Sequence, residues 1–162
     1  MVFLVSCTQE DELHDTTNIR ELQDAFIESN IYLIGLEDEV IEDFLARYGW
    51  EMHKTGSGLR YRIDRRGEGP LASYGNLAVI EYDVFLITGD KVYSSEKLGP
   101  KSFTVGRGGV ESGLEEGILL MNKGAKASFI MPFHLAHGVP GDGDRIPKRA
   151  SIIYQIELID LL

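Results

Sequence analysis

His134 and His137 stand three residues apart, but no Cys, Asp or Glu pattern beside them completes a zinc set. Asp142 and Asp144, in the run PGDGD, could offer oxygens to a hard cation. The twelve-residue calcium loop with its closing Glu is missing, however. Gly106, Gly108 and Gly109 are not followed by Gly-Lys-Ser/Thr, so no phosphate-cradling loop is implied. No Ser-His-Asp arrangement can be argued from the chain. These residue types point away from metal, phosphate and nucleophilic chemistry, and the expectation is a protein with no cofactor and no metal site. Tyr82, Phe103 and Tyr154 taken alone would be core residues on any β-sheet.

The single cysteine, Cys7, excludes an intramolecular disulfide framework. Its surroundings, Leu4-Val5-Ser6-Cys7, resemble the lipobox of bacterial lipoproteins, in which the Cys is lipidated. A complete signal would add a basic region and an apolar stretch of about 7–15 residues. Residues 1–7 are therefore expected to be a remnant of such a signal, placing the chain in the cell envelope, on the outer membrane or facing the periplasm. No apolar run approaches the roughly 18 residues of a membrane-spanning helix, so the expected membrane contact is the lipid at Cys7 alone.

The charge distribution shows how the chain is organised. With 43% hydrophobic and 26% charged residues, the 162-residue chain has globular composition and can bury a core. The net charge of -10 excludes nucleic acid as a partner, because phosphate binding needs clustered Lys and Arg. Residues 1–56 hold 13 of the 26 acids and three of the 16 bases, whereas residues 57–162 balance to zero. The result is an acidic N-terminal segment joined to a neutral domain.

Residues 8–17 read as an acidic tether and residues 18–55 as a helical segment. Asn18 with Glu21 forms an N-cap signal, and Ile19, Leu22 and Phe26 follow at helical spacing. Gly35 predicts a break, with a second helix over Leu36–Arg47 closed by Gly49. Val40, Ile41, Phe44, Leu45 and Tyr48 give that helix one apolar stripe, to be buried on the parent domain or against a second copy. The second option predicts a homodimer through residues 18–48. From Gly56 the character changes to short β-rich runs between Gly and Pro punctuation. Strands are expected at Leu59–Asp64, Leu77–Leu86, Ser102–Val105, Ala127–Met131 and Ser151–Ile159, with one helix over Glu111–Asn122. Many strands around one helix define an α+β domain over residues 56–162.

Several features now fall in a fixed order. Val79-Ile80-Glu81-Tyr82 precedes GDKVYSS at Gly89–Ser95. Phe103-Thr104-Val105-Gly106 leads to Val110 and Gly113-Leu114-Glu115-Glu116-Gly117. Leu135-Ala136-His137-Gly138, Ile146-Pro147 and Ile156-Glu157-Leu158 close the series. From about Gly58 to Leu162 this order resembles the FKBP family of peptidyl-prolyl cis-trans isomerases. The upstream Gly49-Trp50, Thr55-Gly56, Gly58-Leu59 and Tyr61 are similar to lipoprotein members of gliding-motility bacteria.

The resemblance implies a five- or six-stranded antiparallel sheet wrapped on a short helix, with an apolar pocket that accepts proline-containing polypeptides. It implies catalytic roles for Tyr82, His137 and Tyr154. Substrate-binding roles fall to Val92, Tyr93, Phe103, Val110, Glu111, Leu114 and Ile146. Five positions depart from the family pattern. Leu114 stands for the pocket-floor Trp, and Val92-Tyr93 for an aromatic-Asp pair, which removes a buried carboxylate. His137 replaces a Tyr, Glu111 an apolar residue, and Lys101 a Phe. Such a pocket would be wider and more polar, so weak isomerase activity or an unusual peptide is expected. The alternative is a non-catalytic FKBP-fold chaperone or binding module.

Overall fold

The computed structural model describes residues 10–162, with side chains from Asn18 onward. Cys7, its lipobox and the first residues of the expected tether lie outside the described residues. The chain divides into two compact units, with the boundary in sequence between Leu36 and Glu37.

Helix α1 runs from Glu10 to Tyr48. It starts inside the stretch read as a tether and passes through Gly35 without a second start at Leu36. An isolated glycine costs a helix only about 1 kcal/mol relative to alanine, which continuous hydrogen bonding on both sides can absorb. In the first unit, Leu22, Phe26, Ile27, Ile31 and Tyr32 are all more than half exposed.

The second unit begins with the last turns of α1. There the apolar stripe is buried in part on the parent domain: Ile41 is fully buried and Leu45 nearly so, against Ile130 and Ile153, with Phe44, Trp50, Met52 and Phe85 around them, while Val40 and Tyr48 remain more than half exposed. The helix ends as its sequence requires. Gly49 N–H donates to Ala46 O (3.4 Å) and Trp50 N–H to Leu45 O (2.9 Å), the paired bonds of a Schellman cap.

The strands are β1 (His53–Lys54), β2 (Arg60–Arg65), β3 (Leu77–Leu86), β4 (Lys91–Ser94), β5 (Lys101–Thr104), β6 (Lys126–Met131) and β7 (Ile152–Leu161). They form one antiparallel sheet in the order β1-β2-β6-β7-β3-β4. The free edge of β3 is shared, with β5 on Leu77–Ile80 and β4 on Asp83–Phe85. The one-turn helix α2 (Ser95–Leu98) carries the chain between them. All five strands read from the sequence are present; β4 lay hidden in GDKVYSS and β1 is only two residues long.

Side chains alternate across this sheet. Ala78, Ile80, Tyr82 and Val84 on β3, Ala127, Phe129 and Met131 on β6, and Ile152, Tyr154, Ile156 and Leu158 on β7 point into the main core. Helix α3 (Ser112–Ile118) packs Leu114 and Ile118 into it. It is shorter than expected, because the chain turns at Leu119–Met121. A Cβ on Gly117 would stand 2.7 Å from the Phe129 ring, so the close approach of α3 to the sheet requires glycine there.

Arg60 fastens the end of α1 to the sheet. Its side chain is 1% exposed. Nη2 reaches Asp38 and, at 2.7 Å, Glu42, while Nη1 donates to Gly58 O at 2.6 Å. Burial raises the Asp38 carboxyl, but hydrogen bonds from Lys54 and Arg60 outweigh it and hold the group below its ordinary value. Arg60→Ala removes this buried side chain and both ion pairs. It is expected to cost about 2–4 kcal/mol, read as a lower urea midpoint at unchanged slope. Partial solvation of Asp38 and Glu42 keeps the loss below that of a fully buried pair.

Candidate functional site

Strand register assembles the site. Val84 on β3 faces Tyr154 on β7 and Tyr93 on β4, so three adjacent strands present Tyr154, Val84 and Tyr93 in a row. Tyr82, two residues before Val84, points to the same side, its ring centroid 6.0 Å from that of Tyr154 at 44°. Ile80 faces Lys101, the first residue of β5. Where β4 has ended and β5 has not begun, Tyr82 N–H would lack a strand partner; Ser95 Oγ accepts it at 2.9 Å.

Around these rings lies a cavity of about 340 Å³, with Tyr82, Tyr93, Glu111, His137, Ile146 and Tyr154 in its walls. Val84, Leu98, Lys101 and Asp142 complete the lining. Val92, Phe103 and Leu114 do not line it. They are buried in the core beneath, in the cluster that also contains Tyr82, and half-buried Val110 packs against them. A larger open groove of about 500 Å³ is lined by charged residues, including the ion pairs Arg62–Asp64 and Lys126–Glu157.

Glu111 holds the N-cap position of α3 without capping it. Its side chain, 8% exposed, turns into the cavity instead. Tyr154 OH donates to Oε1 at 3.0 Å, and His137 Nε2 lies 3.2 Å from the same oxygen. Oε2 is buried and receives no hydrogen bond. Lys101 Nζ, at 3.7 Å, is ion-paired with it but too distant to donate. That ammonium also lies 5.3 Å from the Tyr82 centroid and 5.9 Å from the Tyr154 centroid, and donates to Tyr154 OH at 3.3 Å. Lys101 is thus held in the cavity by one carboxylate and two ring faces.

The second carboxylate is Asp142. It accepts from Tyr93 OH and from the backbone N–H groups of Asp144 (2.9 Å) and Ile146 (2.8 Å). Burial pushes Asp142 up, but these donors outweigh it and keep it low. The bond to Asp142, with burial, pushes the Tyr93 phenol up to about 12. Burial, then the Glu111 charge, raises both Tyr82 and Tyr154. Three of the seven tyrosines should therefore resist ionisation in the ordinary phenol range. A raised folded-state value means that the stabilising contribution is complete below the unfolded value of about 10. For Tyr93 it disappears as pH rises through about 12. Near-ultraviolet titration of the native chain should show three phenols ionising late, and in urea all seven together.

Residues 69–159 match the family described as FKBP-type peptidyl-prolyl cis-trans isomerase. The chain belongs to that family. A probable FKBP-type isomerase, FkpA, of Neisseria meningitidis is 34% identical over 109 residues, 66% of this chain and 39% of that protein. FK506-binding protein 2 of Dictyostelium discoideum is 39% identical over 109 residues, 67% of this chain and 80% of its own length. The solved structure of AtFKBP13 superposes with a TM-score of 0.67 at 31% identity, covering 69% of this chain and 99% of its own. FkpA from Escherichia coli covers 96% of this chain and 74% of its own, with a TM-score of 0.68; at 24% identity that likeness bears on the fold alone. The chain spans only about two fifths of the meningococcal relative.

Within this FKBP domain the expected loss of a buried carboxylate beside Tyr93 is offset from elsewhere. Asp142 pairs with Tyr93 from a loop 49 residues away, and Glu111 adds an acid on the opposite wall. Sequence reading singled out PGDGD only as a rejected calcium site. The signal that could have identified it is the Asp two residues before another residue's N–H, an Asx-turn acceptor. Glu115, in the GLEEG run, accepts from the N–H groups of Gly106 and Gly108, pinning the loop that leads to Val110 and Glu111.

Proposed function

We propose that the chain is a peptidyl-prolyl cis-trans isomerase that helps exported proteins to fold. Rotation about a peptide bond crosses a barrier of about 18–20 kcal/mol because planarity preserves amide resonance. For X–Pro bonds the two isomers differ by only about 0.5–1 kcal/mol, so the step is slow but balanced. The twisted amide has a less dipolar carbonyl, and a slot that excludes water favours it over the planar one. No nucleophile or metal is needed. The observation that carries the reading is the pair of tilted rings, Tyr82 and Tyr154, backed by core and facing a cavity of about 340 Å³, large enough to admit a proline ring. Tyr93 and Ile146 wall it, and His137 is the proposed donor to the substrate carbonyl. Val92, Phe103, Val110 and Leu114 act from behind by fixing the rings. The test is cis-to-trans relaxation of an X–Pro peptide; a rate unchanged at high micromolar protein would remove the catalytic reading.

Lys101 and Glu111 bring charge into a slot that works best dry, so slow turnover is proposed. They also favour a second reading, a non-catalytic chaperone or binding module. In that case suppression of client aggregation should survive Tyr82→Phe combined with Tyr154→Leu.

Two features outside the slot belong to the same proposal. The apolar residues exposed along Ile19–Ile34 are proposed to pair with a second copy of the chain, because Ile41 and Leu45 are already buried at home. Sedimentation of the full chain should show a dimer that Phe26→Glu dissociates. The lipobox sequence supports lipid attachment at Cys7 and envelope localisation, readable as fatty-acid incorporation lost in Cys7→Ser. Among the described residues no helix is long and apolar enough to cross a membrane.

A further inference from the structure

We infer that the slot selects clients carrying lysine or arginine beside the proline, with Glu111 as the residue that imposes the choice. The inference rests on the cavity being the proline site proposed above. Lys101 is the occupant of the slot in this structure: its ammonium lies against the faces of Tyr82 and Tyr154, where a proline ring would pack. A client must displace it. The lysine side chain is 31% exposed and on a flexible stem, so it can swing outward.

Its departure leaves a problem. The Glu111 side chain is 92% buried by the complement of its 8% exposure, and Oε2 already lacks a hydrogen-bond donor. Oε1 keeps Tyr154 OH and the His137 ring, but the nearest full positive charge is gone. A buried carboxylate stripped of its cation is costly. A client ammonium or guanidinium restores the cation that Lys101 supplied over the rings and gives Oε2 the donor it lacks. A leucine beside the proline leaves Glu111 uncompensated. A glutamate adds a second negative charge to the same wall. The other charges at the cavity cannot substitute, because Asp142 is itself an acid and the neighbouring Arg145 donates to Val92 O.

The test uses the full chain and three peptides identical except for Lys, Leu or Glu next to proline, in one series before it and in another after it. Both binding, by fluorescence titration, and isomerisation rate are measured. In at least one series the expected order is Lys over Leu by at least tenfold, with Glu weakest. Glu111→Gln should bring the Lys-to-Leu ratio within about twofold. Taking the ratio within each variant cancels losses from partial unfolding. Lys101→Met, which removes the competing cation while keeping Glu111, should widen the ratio and serves if Glu111→Gln does not fold. Equal treatment of Lys and Leu peptides by the native chain, or a preference retained in Glu111→Gln, overturns the inference while leaving isomerase activity intact. Lys-selective binding without acceleration of any peptide overturns the catalytic reading and sustains the role of Glu111. No binding of any peptide overturns both.

Discussion

Tyr154→Ala is expected to lower the stability of the second unit by about 3–5 kcal/mol and to abolish peptide binding in the slot. The residue is 1% exposed in the main core, opposite Val84 on one side and Phe129 on the other. The loss consumes a large share of the roughly 5–15 kcal/mol that holds a domain of this size together. Thermal or urea unfolding will show it as a single large shift. Tyr154→Phe separates the hydroxyl from the ring. It keeps the packing but removes the donor to Glu111 and the acceptor for Lys101, for an expected cost of about 1–3 kcal/mol. Equal destabilisation by the two substitutions would mean that the hydrogen bonds, not the ring, carry this residue's contribution.

The second large effect is expected at Gly141, where the loop that positions Asp142 and Ile146 begins. Its φ of +73° is in the left-handed region, and a Cβ would stand 2.3 Å from Ile146 O and 2.8 Å from the Pro147 carbonyl carbon. Backbone atoms cannot yield as a flexible side chain can, so Gly141→Ala must reshape the loop. Asp142 would lose its hold on Tyr93, and Ile146 would leave the wall. The expected outcome is destabilisation of about 2–4 kcal/mol and at least a tenfold fall in X–Pro acceleration. Gly143 is the control. It too has a positive φ, +79°, but open space around its Cβ position. Gly143→Ala should cost only about 1–2 kcal/mol, the price of a left-handed alanine, and leave the slot formed. A Gly141→Ala variant with native Tyr93 titration and unchanged stability would show that the loop does not depend on this glycine.

The five positions expected to depart from the family pattern are accommodated in an open cavity of about 340 Å³. The smaller Leu114 is accommodated because it lies in the core beneath the opening rather than in its wall. The polar substitutions compensate one another: Glu111 balances Lys101 and engages His137, and Tyr93 finds Asp142. Each charge in the slot has a partner contributed by a different segment of the chain.

Local pattern was sufficient for five of the seven strands: period-two burial on β3 is written in alternating residue types, whereas β6 and the start of β7 are covered on both faces and read as short apolar runs. The end of α1 was equally legible, since Gly49 closes it through bonds only three to five residues long. The order of short motifs from Gly58 to Leu162 carried the family. Gly35 misled because breaking propensity is a weak local bias that an otherwise continuous helix overrides. What tertiary structure alone decided is the pairing within the slot. Tyr154 meets Glu111 across 43 residues of sequence, Lys101 meets Tyr154 across 53, and Tyr93 meets Asp142 across 49. Those meetings depend on the register of β3 with β4, β5 and β7, and on which rotamer brings a charge out of water toward its partner. Residue type specifies that a buried charge needs a counterpart; only the folded chain determines which one it finds.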